Sequence, residues 1–222
     1  MSDWIITNVT QIIYSLGYVG IALMMFLENL FPPIPSELIM PLAGFTANEK
    51  AVAAVKALGK LPPDVEPLNI FGVFLAGLIG SVLGGLVWYY PGKMLGEPRL
   101  KQLADKYGKW ITVSSHDITK SSQWFNRQGT KAVFIGRLVP GIRTLISVPA
   151  GISNMPLIPF LFYTTLGSAL WVGLLTYSGY ALGSQYELVD KYLAPVSKIV
   201  LAGLLLAFGF WTFKRRQKRR KR

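Results

Sequence analysis

Two apolar stretches of this 222-residue chain, 20–47 and 130–154, carry charge and proline together. The first holds Glu28, Asn29 and Glu37 among Pro32, Pro33, Pro35 and Pro41. The second holds Arg137 and Arg143 with Pro140 and Pro149. Proline removes a backbone donor and clashes with the preceding turn, so neither stretch reads as a plain spanning helix. Broken backbone at membrane depth must be buried in protein or line a wet cavity. The two breaks therefore predict a cavity where they meet, inside a frame of uninterrupted helices.

That frame is present. Residues 69–90 form a clean apolar run of 22, long enough at 1.5 Å per residue to cross a hydrocarbon layer of ~30 Å. Gly72, Gly77, Gly80, Gly84 and Gly85 give it a small-residue face for close packing. Trp88, Tyr89 and Tyr90 read as an aromatic belt, and Pro91 and Gly92 as a stop. Further spans are expected at 157–182 and 195–213. Residues 3–18 read as an interfacial or partly inserted helix, and 98–128 as one or two amphipathic helices on the basic side of the membrane. His116 in that polar stretch reads as a helix-start or surface residue. Lys50 is the first basic residue, so the N-terminus lacks the n-region of a signal peptide.

Composition agrees with a small multi-span membrane protein. Charged residues make up 15%, against about 25% in an average globular chain. With no cysteine and one histidine, thiolate zinc, iron–sulfur clusters and most histidine metal sites are excluded, and neither cofactor nor metal is expected. The tail 214–222 has eight basic residues in nine and directly follows an apolar run, which marks a cytoplasmic face rather than a nucleic-acid ligand. Segment 91–131 is also basic, with eight cations against three anions, whereas 48–68 and 184–198 are balanced. Tail and central segment go inside, and the balanced loops outside. On that parity 130–154 begins and ends inside, so it enters the membrane and turns back. If 20–47 also turns back, the N-terminal piece starts outside, which the absence of early basic residues favours. If the first helix spans, it starts inside.

The two broken segments align at an offset of 108. Pro32 falls on Pro140, Ile34 on Ile142, Ser36 on Thr144 and Pro41 on Pro149; with a one-residue slip Ala43-Gly44 falls on Ala150-Gly151. Each copy precedes a long span. The expected fold is an all-α polytopic membrane protein: an inverted repeat of re-entrant hairpin plus transmembrane helix, with an added C-terminal span, all within one domain over 1–213. Pro32, Pro33, Pro35, Pro41, Pro140, Pro149 and Gly151 would shape the hairpins. A charge at membrane depth costs roughly 2.5–3.5 kcal/mol even on the lowest scales. Two readings account for four of them: the glutamates staple the fold by pairing with the arginines, or Arg137 and Arg143 bind an anionic lipid head while Glu28 or Glu37 carries a proton. Ser36 and Ser147 have no nearby histidine to activate them, so no enzyme is expected.

These residues resemble the bacterial DedA family, whose eukaryotic relatives are the VTT-domain, or SNARE-associated Golgi protein, lipid scramblases. The motifs are Phe26-Leu-Glu-Asn-Leu-Phe-Pro-Pro-Ile-Pro-Ser-Glu37 and Phe134-Ile-Gly-Arg-Leu-Val-Pro-Gly-Ile-Arg-Thr144, the latter followed by Pro149-Ala-Gly151. The resemblance spans roughly 12–213. It implies an inner-membrane protein that moves polar lipids between leaflets, with undecaprenyl phosphate as leading substrate and proton or sodium coupling. Phospholipid scrambling, for example of phosphatidylethanolamine, is the alternative, followed by small-ion or drug transport. It carries the family's acidic positions to Glu28 and Glu37 and its arginines to Arg137 and Arg143. Homo-oligomerisation is left open.

Overall fold

A computed structural model of the chain describes residues 2–30, 36–59, 61–62, 64–111 and 114–183. The expected span 195–213, the basic tail 214–222, and Pro32, Pro33 and Pro35 lie outside the described residues. Those described form eight helices and no strands: α1 (Ser2–Leu30), α2 (Ser36–Thr46), α3 (Glu49–Ala57), α4 (Ile70–Ile111), α5 (Ser115–Gln128), α6 (Lys131–Leu138), α7 (Ser147–Ile152) and α8 (Leu157–Gly183). Three stretches are long and apolar enough to cross a membrane: Asn8–Leu30, Ile70–Lys106 and Leu157–Gly183.

Helices α4 and α8 form the central pair. Ser81 Oγ donates to Ser168 Oγ at 3.4 Å, and a Cβ on Gly77 would stand 3.1 Å from Val172 Cγ1. One partner's number rises as the other's falls, so the two helices run antiparallel. α1 lies along α4 in the same direction: Tyr18 Oη accepts from the Asn69 amide at 2.9 Å, and further on Trp88 Nε1 donates to the Asn29 carbonyl at 2.6 Å. Two apolar cores flank the pair. One gathers Ile13, Ile21, Met25, Ile39, Met40, Val73 and Val172; the other gathers Tyr89, Phe125, Val133, Ile146, Met155 and Phe160.

The short helices after each break pack on the central pair through glycine. A Cβ on Gly44 of α2 would collide with the Thr176 carbonyl of α8, and one on Gly179 with the Pro41 carbonyl. In the other half, a Cβ on Gly151 of α7 would collide with the Tyr89 carbonyl of α4, and one on Gly92 would stand 2.6 Å from the Val148 carbonyl. Backbones this close bring many atoms into dispersion contact, which drives helix association in lipid.

Residues up to Gly17 form a helical segment of their own within α1: the helix is interrupted at Gly17 (φ 55°, ψ −132°), a conformation open to glycine and strained for other residues, and a second segment runs on to Leu30. Two expectations change. Pro91 and Gly92 do not stop α4: its first helical segment continues past them to Gly96, and a second segment then runs to Ile111. α7 packs closely against Gly92, a tertiary contact that local propensity does not encode. The helix bends instead at Gly96 (φ 65°), and Pro98 then sits in the first turn of the continuing helix, where its missing N–H is no loss. The aromatic triplet also divides. Tyr89 is fully buried, stacks on Phe160 at 4.3 Å and donates to the Met155 carbonyl, while Tyr90 stays exposed.

The polar stretch forms α5, which opens on a capping box between Ser114 and Asp117 and buries Ile118, Ser122 and Phe125 along one face. Ser122 Oγ donates to Glu97 at 3.0 Å, tying α5 to α4 just past Gly96. His116 is exposed in the first turn of α5.

Two alanine substitutions on α8 test the glycine contacts at equal helix propensity. Gly179→Ala should lower the Tm of the detergent-solubilised protein, because its methyl meets the Pro41 backbone. Gly173→Ala, whose methyl would stand 3.5 Å from Phe74, should leave Tm unchanged or raise it.

Candidate functional site

The site lies where the two helix breaks meet. The last turn of α1 supplies Glu28 and Asn29, and the start of α2 supplies Ser36 and Glu37. The last turn of α6 supplies Arg137, the turn after it Arg143, and the start of α7 Ser147. Pro149 in the first turn of α7 costs no hydrogen bond, and Pro140 lies in the turn between α6 and α7. Pro41 sits inside α2, where its carbonyl forms the contact with Gly179.

Arg137 is 1% exposed and Arg143 5%, facing Glu28 at 4%. Glu28 accepts from Arg143 Nη2 in an ion pair that joins the two broken segments. Arg137 has a different shell: Nη2 donates to Ser147 Oγ at 2.8 Å, and Nη1 donates to Asn29 Oδ1 at 3.4 Å. Asn29 is itself oriented, its Nδ2 donating to the Met25 carbonyl at 2.9 Å and to Glu28 Oε2 at 3.4 Å. Glu37 is half-buried, accepts from Ser36 Oγ at 3.5 Å, and is in ion-pair contact with neither arginine.

Glycines make room for the larger guanidinium. Gly167 of α8 takes the stem, its would-be Cβ 2.7 Å from Arg137 Cβ, and Gly85 of α4 takes Nη2. Any side chain at either position would displace Arg137. An apolar groove lined by Ile70, Phe71, Phe74, Gly173, Thr176 and Tyr177 lies further along α4 and α8 and includes none of the charged residues.

Of the four charged residues singled out from the sequence, three come together as one cluster. Glu28 staples to Arg143, while Arg137 keeps only neutral oxygens among the described residues. Sequence reasoning missed Asn29 and Ser147 as partners of Arg137. The repeat carried the signal for Asn29, which stands 108 residues before Arg137 and touches it. Ser147 had no such signal, because it lies on the far side of an irregular turn. Among the described residues, no three His, Cys, Asp or Glu side chains gather as a metal site.

The sequence model of the VTT domain matches residues 34–181. The chain is 36% identical to the "Alkaline phosphatase-like protein" of Lactococcus lactis subsp. cremoris, over 94% of this chain and 92% of that one. It is 30% identical to "Undecaprenyl phosphate transporter A" of Staphylococcus aureus, over 96% and 97% respectively. With "Protein DedA" of Escherichia coli it shares 28% identity over 72% of this chain and 70% of the other. No solved structure matches the chain.

The ion pair generates a stability prediction. Glu28→Gln leaves the buried Arg143 charge uncompensated and should cost about 3–5 kcal/mol. The double variant Glu28→Gln, Arg143→Gln should recover a large part of that loss. Thermal unfolding in detergent of the two single variants, the double variant and the parent closes the cycle.

Proposed function

This chain belongs to the DedA family of VTT-domain membrane proteins, and on that footing we propose that it carries a lipid phosphate between the leaflets of the bacterial inner membrane. Undecaprenyl phosphate is the substrate this reading favours, returned to the cytoplasmic face for envelope synthesis. The observation that carries it is Arg137: a buried guanidinium with neutral partners, a few residues from a second arginine held by Glu28. A phosphate head is the natural counter-ion for such a pair, since guanidinium matches phosphate oxygens in a bidentate fork. Its charge would offset the cation's, and the long apolar tail would stay in lipid.

Glu28 gives the cycle its proton dependence. As a carboxylate it holds Arg143. Once protonated it becomes a weak partner, and Arg143 is released to the phosphate. Glu37, half-buried at the start of α2, is the second candidate proton carrier. A proton entering with the headgroup would couple transport to the proton gradient; sodium, the other candidate ion, would need an oxygen-lined site of its own.

Alternating exposure would come from an inverted repeat of two re-entrant hairpins, 20–47 and 130–154, each followed by a span. Three contacts support this. Asn29 and Arg137 occupy the same repeat position and touch, as residues on a two-fold axis do. Ser81 and Ser168 also meet as a pair, on antiparallel helices, and an axis through them would run across the helices, as in the inverted repeats of transporters. The glycine contacts recur at the same spacing, Gly44 on Thr176 and Gly151 on Tyr89. The basic tail 214–222 would remain cytoplasmic.

A carrier is favoured over an enzyme. A phosphatase needs a metal cluster or an activated nucleophile. Ser147 is committed to Arg137, and His116, the one histidine, is exposed on α5.

Flux of a polyprenyl phosphate and of phosphatidylethanolamine into sealed vesicles, with and without a pH gradient, tests the reading. Arg137→Lys keeps the charge but loses the fork, so polyprenyl phosphate flux should fall more than tenfold in folded protein. At least one of Glu28→Gln and Glu37→Gln should flatten the response to pH; an undiminished response in both rejects proton coupling through these residues. Single cysteines at Lys131 and Asn154 should both label from the cytoplasm, whereas labelling from opposite sides rejects the re-entrant hairpin.

A further inference from the structure

Two buried polar groups have no hydrogen-bond partner among the described residues: Arg137 Nε and Thr164 Oγ1. Thr164 is 0% exposed on α8. A hydroxyl inside a helix ordinarily bonds back to a carbonyl of the preceding turn. Thr176 does so to Val172 at 2.7 Å, Thr119 to Ser115 at 3.1 Å and Ser178 to Leu175 at 2.7 Å. Thr164 makes no such bond, and leaving a hydroxyl buried and unpaired costs about 1–3 kcal/mol.

The helix register brings the two orphans to one place. The Arg137 stem lies on Gly167, and its head lies on Gly85. In the antiparallel register set by Ser81 with Ser168 and Gly77 with Val172, the α8 residue opposite Gly85 is Thr164. Thr164 also stands one turn before Gly167 on the same face of α8. That register sets Thr164 level with Gly85, against which the Arg137 guanidinium lies. There they offer an N–H and an O–H with nothing in the described chain to accept them.

We propose that Thr164 is a headgroup-contacting residue, its hydroxyl and Arg137 Nε–H donating to the same phosphoryl oxygen of the bound lipid. This rests on the lipid-phosphate reading above and adds a ligand from the spanning helix α8. Nη1 and Nη2 each give one N–H, to Asn29 and Ser147, and Nε–H can donate without breaking either bond. Because Thr164 belongs to α8 and Arg137 to α6, a shared oxygen also clamps the second broken segment to its span.

The test is equilibrium binding of a polyprenyl phosphate and of the matching polyprenol to the full-length protein in detergent. Thr164→Val keeps the shape and removes the hydroxyl. It should weaken polyprenyl phosphate binding ~tenfold, the scale of one hydrogen bond to a charged group, and leave polyprenol binding unchanged. Thr164→Ser restores the hydroxyl and should return affinity to within about twofold of the parent by the same account. Thr164→Ala is a second hydroxyl-less variant. Parental phosphate affinity in either folded hydroxyl-less variant overturns the proposal and assigns the hydroxyl to a bridging water. In that case, continued loss of binding in Arg137→Lys leaves the lipid-phosphate reading standing. A parent protein that binds phosphate and alcohol equally removes both.

Discussion

A guanidinium taken out of water has to be solvated by the protein that buries it, and the core of this molecule is arranged around that requirement. Arg137 is almost entirely enclosed. The effective penalty for burying an ion is several kcal/mol, so its neighbours must return hydrogen bonds. Continuous helices cannot supply them, because their backbone groups are already used within the helix. The breaks can: each exposes a helix end and places polar side chains there. Asn29 comes from the end of α1 and Ser147 from the start of α7, and both reach Arg137. Glu28, next to Asn29, reaches across to Arg143.

The rest of the architecture holds the breaks in place. α4 and α8 cross as an antiparallel pair, and each receives a short helix from the opposite half of the chain: α2 on α8, and α7 on α4. In both cases glycine lets carbonyl and Cα approach to contact. Glycines on the same two helices, Gly85 and Gly167, also open the space that Arg137 fills. One device thus serves two ends, packing without a hydrophobic driving force between helices and a polar pocket inside an apolar bundle. The result is a locked pair at Glu28–Arg143 and a neutral shell at Arg137, the arrangement on which the proposed binding of an anionic headgroup rests.

Much of this was legible in the sequence because the constraints were local. Proline and charge inside apolar runs marked the breaks, and the offset of 108 paired Asn29 with Arg137, which are in contact. The spans 69–90 and 157–182 followed from apolar length and reappear as parts of α4 and α8. The continuation of α4 past Pro91 was not legible, because it depends on α7 packing against Gly92 rather than on local propensity. The end of the first helical segment near residue 18 was legible, and the structure breaks α1 at Gly17. Tyr89 looked like part of a belt because three aromatics in a row carry no sign of which one turns inward. Pairwise choices within the site were equally out of reach. Glu28 and Glu37 are alike in sequence, yet Glu28 alone is within ion-pair reach of Arg143, because it sits on the last turn of α1.

The central claim is that the buried arginines serve a phosphate headgroup rather than the fold alone. The most direct measurement follows a fluorescent polyprenyl phosphate and its polyprenol counterpart across sealed vesicles that contain the purified protein. The account predicts protein-dependent flux of the phosphate, suppressed by excess unlabelled polyprenyl phosphate and untouched by excess polyprenol. Equal flux of the phosphate and the alcohol, or phosphate flux no faster than in protein-free vesicles, would contradict it.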